Sequence, residues 1–308
     1  MSKQRTPGSL HLLSERARSL LHREDFRRNP VKAVYRRFAW RLRWKLYPNR
    51  PWLIRAQSGL PLLTPKCSAG ALIYYQGVSE PETAEFIRRV LRPGEVFVDI
   101  GAHLGEYAIL ASMLVKPAGC VHAFEPRPDF FQSLETNLRL NKCENVWACA
   151  EAVCKETGVA DFELDPEPSK SALQFKNTEA RGHEVIQVRT ITLDYYFSHG
   201  DMARPNLIKI DVEGAELSVL QGARSLLAKP PSEAPLIIFE YEPRNTRRFG
   251  YPAEEIIRFL RGYGYSVYDS RDGALVPTDK YPMLDSRGFG RNLIATKMSS
   301  RIGREGAR

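Results

Sequence analysis

Two stretches of the chain hold residues whose types and spacing could do chemistry. In LIKIDVEGAE, residues 207–216, an apolar strand pattern sets Lys209, Asp211 and Glu213 at alternate positions, hence on one strand face. Three charges on a face that a sheet buries are costly unless they are paired or functional. At the carboxyl end of such a strand, Asp211 and Glu213 could orient an attacking hydroxyl and accept its proton. The same pattern is compatible with a Lys209–Asp211 ion pair that only fastens the strand to a neighbouring helix. Two acids are thin grounds for a divalent cation, so no metal ligands are assigned.

The second stretch, VFVDIGAHLGEY at residues 96–107, is a buried-strand pattern that ends in a glycine loop. Glycine lets backbone approach a ligand closely, and the helix that follows offers unpaired N–H groups. A dinucleotide fingerprint would read GxGxxG and leave room for a pyrophosphate. This loop reads GxxxG, with Asp99 two residues ahead of Gly101. An acid there repels a pyrophosphate but suits an ammonium group. S-Adenosylmethionine carries an amino group and a sulfonium and no phosphate. It is a candidate ligand for the stretch of Asp99, Gly101, Ala102, His103, Gly105, Glu106 and Tyr107, the alternative being an ordinary tight turn between strand and helix.

The next strand closes in VHAFEP. There Glu125, followed by Pro126, could take both ribose hydroxyls in a bidentate hydrogen bond. The alternative for Glu125 is a capping acid for the helix beyond it. A third strand ends near Glu151 and Ala152, a position expected beside the adenine ring.

The elements that must hold these residues alternate. Strands are expected over 96–102, 120–124, 146–153, 207–212 and 236–241, and helices over 106–115, 129–140, 215–227 and 253–263. This is the rhythm of a doubly wound parallel sheet, in which ligands bind at the carboxyl ends of strands where the order reverses. Ahead of it, 71–75 reads as a strand and 82–91 as a helix with Pro81 at its first position and Ser79 as its cap. Residues 159–164 and 185–193 are strand-like. Strands at 266–268 and 292–296, with no helix between them, suggest an antiparallel hairpin at the sheet edge.

The 308 residues carry a net charge of +9, unevenly spread. Residues 1–60 hold 15 of the 45 Lys and Arg but 3 of the 36 Asp and Glu, a net +12 that leaves the remainder at −3. Within that segment Arg36, Arg37, Arg41, Arg43 and Lys45 alternate with Tyr35, Phe38, Trp40, Leu42, Trp44 and Leu46. A basic, aromatic-rich helix over residues 30–50 could lie on an anionic membrane surface, touch phosphates, or pack its aromatics on the domain. The expected organisation is a basic helical extension over 1–60, a catalytic domain over 61–298 and a polar, disordered tail over 299–308. No apolar run is long enough to span a bilayer, and no secretory signal pattern opens the chain. The five cysteines form no CxxC pair, which points to a reducing cytoplasm rather than a disulfide framework.

Four blocks in order resemble the FkbM family of methyltransferases: VFVDIGAHLGEYA, FEPRPDFFQSLETNLRLN, LIKIDVEGAELSVLQGA and IIFEYEP. The resemblance covers about residues 70–297, and its third block is the most specific. It implies a class I methyltransferase fold: a Rossmann-like, seven-stranded, mostly parallel sheet with an antiparallel edge hairpin and helices on both faces. It also implies S-adenosylmethionine as donor and a hydroxyl as the usual acceptor, on a sugar, glycolipid or secondary metabolite. His103 stands where family members often carry Asn, and a positioning role is expected of it rather than that of a base. Ser171, in SKSAL, resembles a serine-rich motif that would lie over the acceptor pocket. Two rivals stay open. One is an RNA methyltransferase, motivated by the basic segment and disfavoured by DVEG where an Asn/Asp-Pro-Pro-aromatic motif would stand. The other is a non-catalytic adaptor on a membrane surface.

Overall fold

The computed structural model of the protein describes residues 24–56, 59–167, 170–174, 182–199, 202–271, 274–278 and 291–298. The expected tail over 299–308 and the first 23 residues of the extension lie outside them. The chain divides into two compact units, residues 1–60 with 64–79, and residues 61–63 with 80–308. Residues 64–79 group with the N-terminal unit and residues 61–63 with the second.

In the first unit, α1 (Glu24–Arg28) leads into α2 (Pro30–Leu46), followed by β1 (Trp52–Arg55) and α3 (Ser68–Gln76). Helix α2 starts where it does because Asn29 Oδ1 accepts the Lys32 N–H at 2.9 Å and Pro30 presets the first helical φ. Its inner face buries Ala33, Trp40 and Trp44. Trp40 lies 5.7 Å from both Trp52 and Tyr74, centroid to centroid. The strand expected at 71–75 is a helix. SAGALIYY is apolar on all sides, so periodicity cannot separate strand from buried helix there. The ends decide: Cys67 Sγ accepts the Gly70 N–H, and Gly77 closes the helix with a φ of 92°.

The second unit begins with the first three residues of β2 (Pro61–Thr64) and continues through α4 (Pro81–Val90), β3 (Val96–Ile100), α5 (Glu106–Val115), β4 (Cys120–Phe124), α6 (Pro128–Leu140) and β5 (Val146–Cys149). Glu80, not Ser79, is the N-cap of α4, and its side chain does not cap. It is drawn into the site described below. A small sheet follows from β6 (Ala152–Val153), β7 (Gly158–Leu164), β8 (Ala172–Gln174) and β9 (Glu184–Ile191), in the order β6-β9-β7-β8. The strand expected over 146–153 is therefore two. The chain turns at residues 150–151, and β6 leaves the main sheet to pair with β9.

Helix α7 (Leu193–Ser198) precedes β10 (Leu207–Ile210), α8 (Glu216–Gln221), α9 (Arg224–Leu227) and β11 (Leu236–Tyr241). The single helix expected over 215–227 is broken because Asp194 accepts the N–H groups of Ser225 and Leu226, which starts a new helix there. After α10 (Pro243–Arg248) and α11 (Glu254–Gly262) come β12 (Ser266–Arg271), β13 (Ala274–Pro277) and β14 (Arg291–Thr296).

The main sheet runs β13-β12-β14-β11-β10-β3-β4-β5. Five strands from β11 to β5 are parallel. The antiparallel edge is larger than a hairpin. Strand β14 inserts between β11 and β12, and β13 adds an eighth strand to the expected seven. From β3 the chain steps outward to β4 and β5, then returns to lay β10 and β11 on the other side of β3. The strand order therefore reverses between β3 and β10, where a ligand crevice is expected.

All of β3 is buried. Gly101, at its end, has a φ of 81°, and a Cβ added there would lie 1.9 Å from the Asp211 carbonyl oxygen. The glycine makes room for the protein's own backbone across the crevice, not directly for a ligand. Gly105 has the same φ, but its Cβ would meet only the mobile end of Leu134, at 2.6 Å. Gly101→Ala should therefore cost about 2–4 kcal/mol in urea unfolding, and Gly105→Ala clearly less.

Candidate active site

The crevice is organised around one buried ammonium. Lys209 lies in β10 directly beside Asp99 of β3 and is 2% exposed. Its Nζ donates to Asp211 Oδ2 at 2.8 Å and sits 4.9 Å from the centre of the Tyr107 ring. Burial works to discharge it, but Asp211, Asp99 and Glu80 outweigh burial and hold its pKa above the usual lysine value. The ion pair read as the bland alternative for LIKID is therefore present, and it is part of a larger cluster. Asp211 and Glu213 lie beyond the end of β10, on the turn after it rather than on the strand face.

Asp99 is fully buried, and neither carboxylate oxygen completes a hydrogen bond, although the Ala108 N–H faces it. Its pKa is pushed up to about 6, by burial first, with Lys209 opposing and Asp211 adding to the rise. Five further residues that the sequence did not single out, Glu80, Asn292, Asn245, Glu240 and Glu216, close the cluster. The Tyr107 hydroxyl donates to Glu80 Oε2 at 3.2 Å, and Asn292 Nδ2 donates to the same oxygen at 2.7 Å. Asn245 Nδ2 donates to Glu213 Oε2 at 2.7 Å and to Glu240 Oε2 at 3.4 Å. Glu216 Oε1 accepts the N–H groups of Val212 and Gly214, which ties down the turn that carries Glu213.

Glu213 itself has a φ of 55°, a strained value for a side-chain-bearing residue and one that clusters at functional sites. Its pKa is raised to about 8, by burial and then by the charges of Asp211 and Glu216. Burial, and then the charges of four neighbouring acids, hold the pKa of Glu240 well above the usual carboxylate value. Signals for two of these residues were in plain view. Glu240 is the first of the two acids of IIFEYEP, and Glu80 immediately precedes the proline that starts a helix.

At the β4 end, Glu125 is 5% exposed and is fixed from both sides. His103 N–H donates to Oε2 at 2.8 Å and Arg127 N–H to Oε1 at 2.9 Å. Burial raises its pKa to about 7 despite those two bonds. The bonded partners are loop and strand-end backbone, and Glu125 does not cap α6, whose N-cap is Arg127. His103 has a φ of 53°, its ring lies tilted against Phe130 with 3.7 Å between centroids, and its pKa is driven down to about 3 by burial. So weak a base removes little from a proton at neutral pH, which fits a neutral, positioning ring.

Ala102 is buried in the loop, while Glu106, at the first position of α5, and Pro126 are half-buried. Glu151 stands between the two sheets with Oε1 2.7 Å from Arg189, and Ala152 is buried in β6. Arg127 also donates to Ser171 Oγ at 2.6 Å. Neighbouring Lys170 lowers the pKa of Glu213, so the SKSAL stretch faces both halves of the crevice. Among the described residues no group of three His, Cys, Asp or Glu could hold a metal ion.

A reversal point with a glycine loop on one side, a buried acid closing the next strand and a lysine–carboxylate cluster opposite is the arrangement of a class I methyltransferase fold. The Methyltransferase FkbM domain family matches residues 99–267, more than half of the chain, and the chain belongs to that family. S-Adenosylmethionine is the methyl donor that goes with it. The chain is 26% identical over 228 residues to the 31-O-demethyl-FK506 methyltransferase FkbM of Streptomyces tacrolimicus, covering 65% of this chain and 84% of that one. It is 30% identical over 146 residues to the hexuronic acid methyltransferase AglP of Haloferax volcanii, covering 46% of this chain and 57% of that one. A crystal structure of a methyltransferase FkbM from Methylobacillus flagellatus KT superposes with a TM-score of 0.43 at 16% identity, over 74% of this chain and 54% of that one.

The raised carboxylates have a thermodynamic signature. Glu216 has an ordinary value of 4.5 and about 7 in the fold, burial being the main cause. The folded chain keeps this proton where the unfolded chain has lost it, so its contribution is complete below pH 4.5 and lost as pH rises through 7. Glu216→Gln retains a carbonyl acceptor for Val212 and Gly214. It should match the parent in thermal unfolding near pH 4.5 and exceed it near pH 8, by on the order of 1–3 kcal/mol.

Proposed function

We propose that the protein transfers a methyl group from S-adenosylmethionine to a hydroxyl oxygen of a neutral, hydroxyl-rich acceptor, such as a sugar, a glycolipid or a hydroxylated secondary metabolite. The observation that carries this reading is Glu213: a carboxylate with a pKa near 8, strained in φ, gripped by Asn245 and seated on the turn after Lys209 and Asp211. A base poised near neutrality is what removal of a hydroxyl proton during methyl transfer calls for.

The donor supplies a methyl carbon on a sulfonium, which leaves as a neutral thioether. The residues present fit it. Asp99 offers two buried oxygens without completed bonds to a cationic ligand. Glu125 uses one lone pair of each oxygen on backbone N–H groups, and those remaining suit the two ribose hydroxyls. Lys209 holds Asp211 in one position, and Glu213 takes the acceptor proton as the new bond to oxygen forms. Asp211, Asp99 and Glu80 crowd a single lysine, and Glu213 follows on the next turn. This supports a neutral acceptor over one that carries its own carboxylate, and hydroxyl groups are natural donors to such oxygens.

Calorimetric titration of S-adenosylhomocysteine tests the donor half. Micromolar binding, about −8 kcal/mol, should be lost in Glu125→Ala. Because Glu125 must be ionised to accept two hydroxyls, affinity should fall up to about tenfold per pH unit below 7, level off above it, and lose this slope in Glu125→Gln. Glu213→Gln tests the chemical half on a panel of sugar, glycolipid and hydroxylated metabolite acceptors. It should keep donor affinity within about twofold while lowering kcat by roughly 10²–10⁴. Full turnover in Glu213→Gln, or no donor binding by the parent chain, would overturn the reading.

A further inference from the structure

Helix α2 has two faces with opposite fates. A helix advances about 100° per residue. On that wheel Ala33, Trp40 and Trp44 point to one side, where they are buried. Directly opposite, Val31, Val34, Tyr35, Phe38, Leu42 and Leu46 fall within an arc of about 120°. All six are exposed, from 42% at Leu42 to 78% at Val31. Single exposed apolar residues are ordinary, but six in one continuous stripe along a 17-residue helix mark an interaction face.

The charges around the stripe say what it faces. Lys32 lies beyond one edge of the arc and Arg41 beyond the other, Lys45 falls inside it between Val34 and Phe38, and α2 contains no acidic residue. Arg36, Arg37 and Arg43 turn back on the unit, donating to the carbonyls of Tyr75, Ala33 and Tyr47. Among the described residues of this unit the acids are Glu24 and Asp25 of α1, and Asp25 is already paired with Arg37. Lys32, Arg41 and Lys45 are exposed. An exposed apolar stripe attended by exposed Lys32, Arg41 and Lys45, on a helix with no acid, is the form of a helix lying in the plane of an anionic bilayer surface. Its stripe sinks among the acyl chains while the basic heads stay level with the phosphates. Four of the six stripe residues are aliphatic and offer no face on which a nucleobase could stack, which argues against RNA as the occupant. No helix among the described residues is long and apolar enough to cross a membrane, so contact of this kind would be peripheral.

We propose that α2 is a membrane-surface anchor that docks the protein on anionic lipid. This inference is independent of the methyl-transfer reading and rests on the first unit alone.

The test is co-sedimentation of the full chain with vesicles of phosphatidylcholine, or of phosphatidylcholine with one-third phosphatidylserine. Binding should favour the anionic vesicles by at least about tenfold and weaken as salt is raised. Phe38→Glu with Leu42→Glu should abolish it. Replacing Lys32, Arg41 and Lys45 by Gln should weaken it on the order of a hundredfold. These three side chains are exposed, so the Gln variant should keep the parent's melting temperature. Equal binding to both vesicle types, or binding unchanged in both variants, overturns the proposal. So does a vesicle-indifferent chain whose dimer is dispersed by Phe38→Glu, since the stripe would then be a self-association face. Retention on RNA with no vesicle binding overturns it as well.

Discussion

A lysine that is 2% exposed is tolerable in a protein core only if its charge is answered on the spot. Lys209 is answered by Asp211, with Asp99 and Glu80 close enough to raise its pKa further. Much of the site follows from that requirement. Asp99 must stand on the neighbouring strand at the same register, and the turn after β10 must bring Asp211 back over the ammonium. With the turn in that place, the Asp211 carbonyl leaves no room for a side chain at residue 101. The glycine of the donor loop and the lysine of the opposite strand are two consequences of one packing arrangement.

The excess of carboxylates over cations in this crevice is costly for the empty protein. Burial raises the pKa values of Asp99, Glu125, Glu213, Glu216 and Glu240. Such a site stores unfavourable electrostatics that a cationic ligand can relieve, and perturbed groups of this kind concentrate where chemistry is done. The strained φ values at His103 and Glu213 fall at the two edges of the same crevice. Backbone strain and charge crowding, which are independent observations, therefore point to one place.

The N-terminal unit shows a different use of the same residue types. Its aromatic residues divide between an inner cluster around Trp40 and an outer stripe around Phe38, and Lys32, Arg41 and Lys45 attend the outer stripe. The helix is stabilised from one side, so the other side is free to be specified by what it meets rather than by the core.

Much of the second unit was legible in the chain. Buried parallel strands show as short apolar runs, and the runs at 96–100, 120–124, 207–210 and 236–241 stand between helical periods with clear turn signals. The glycine loop after β3 and the acid after β4 were also readable, because local spacing alone sets a glycine turn at a strand end. Elements whose identity rests on neighbours were not. Residues 71–75 are equally apolar as strand or helix, the break at Glu151 depends on β9 offering an edge to β6, and the break in 215–227 depends on Asp194 reaching over from another helix. The same division runs through the site. Sequence by itself determined which carboxylates follow each strand, since that is a matter of local order. Only tertiary structure decided that Glu80, Glu216, Glu240 and Asn245 join them, because burial and electrostatic coupling depend on distances between segments that the chain keeps far apart.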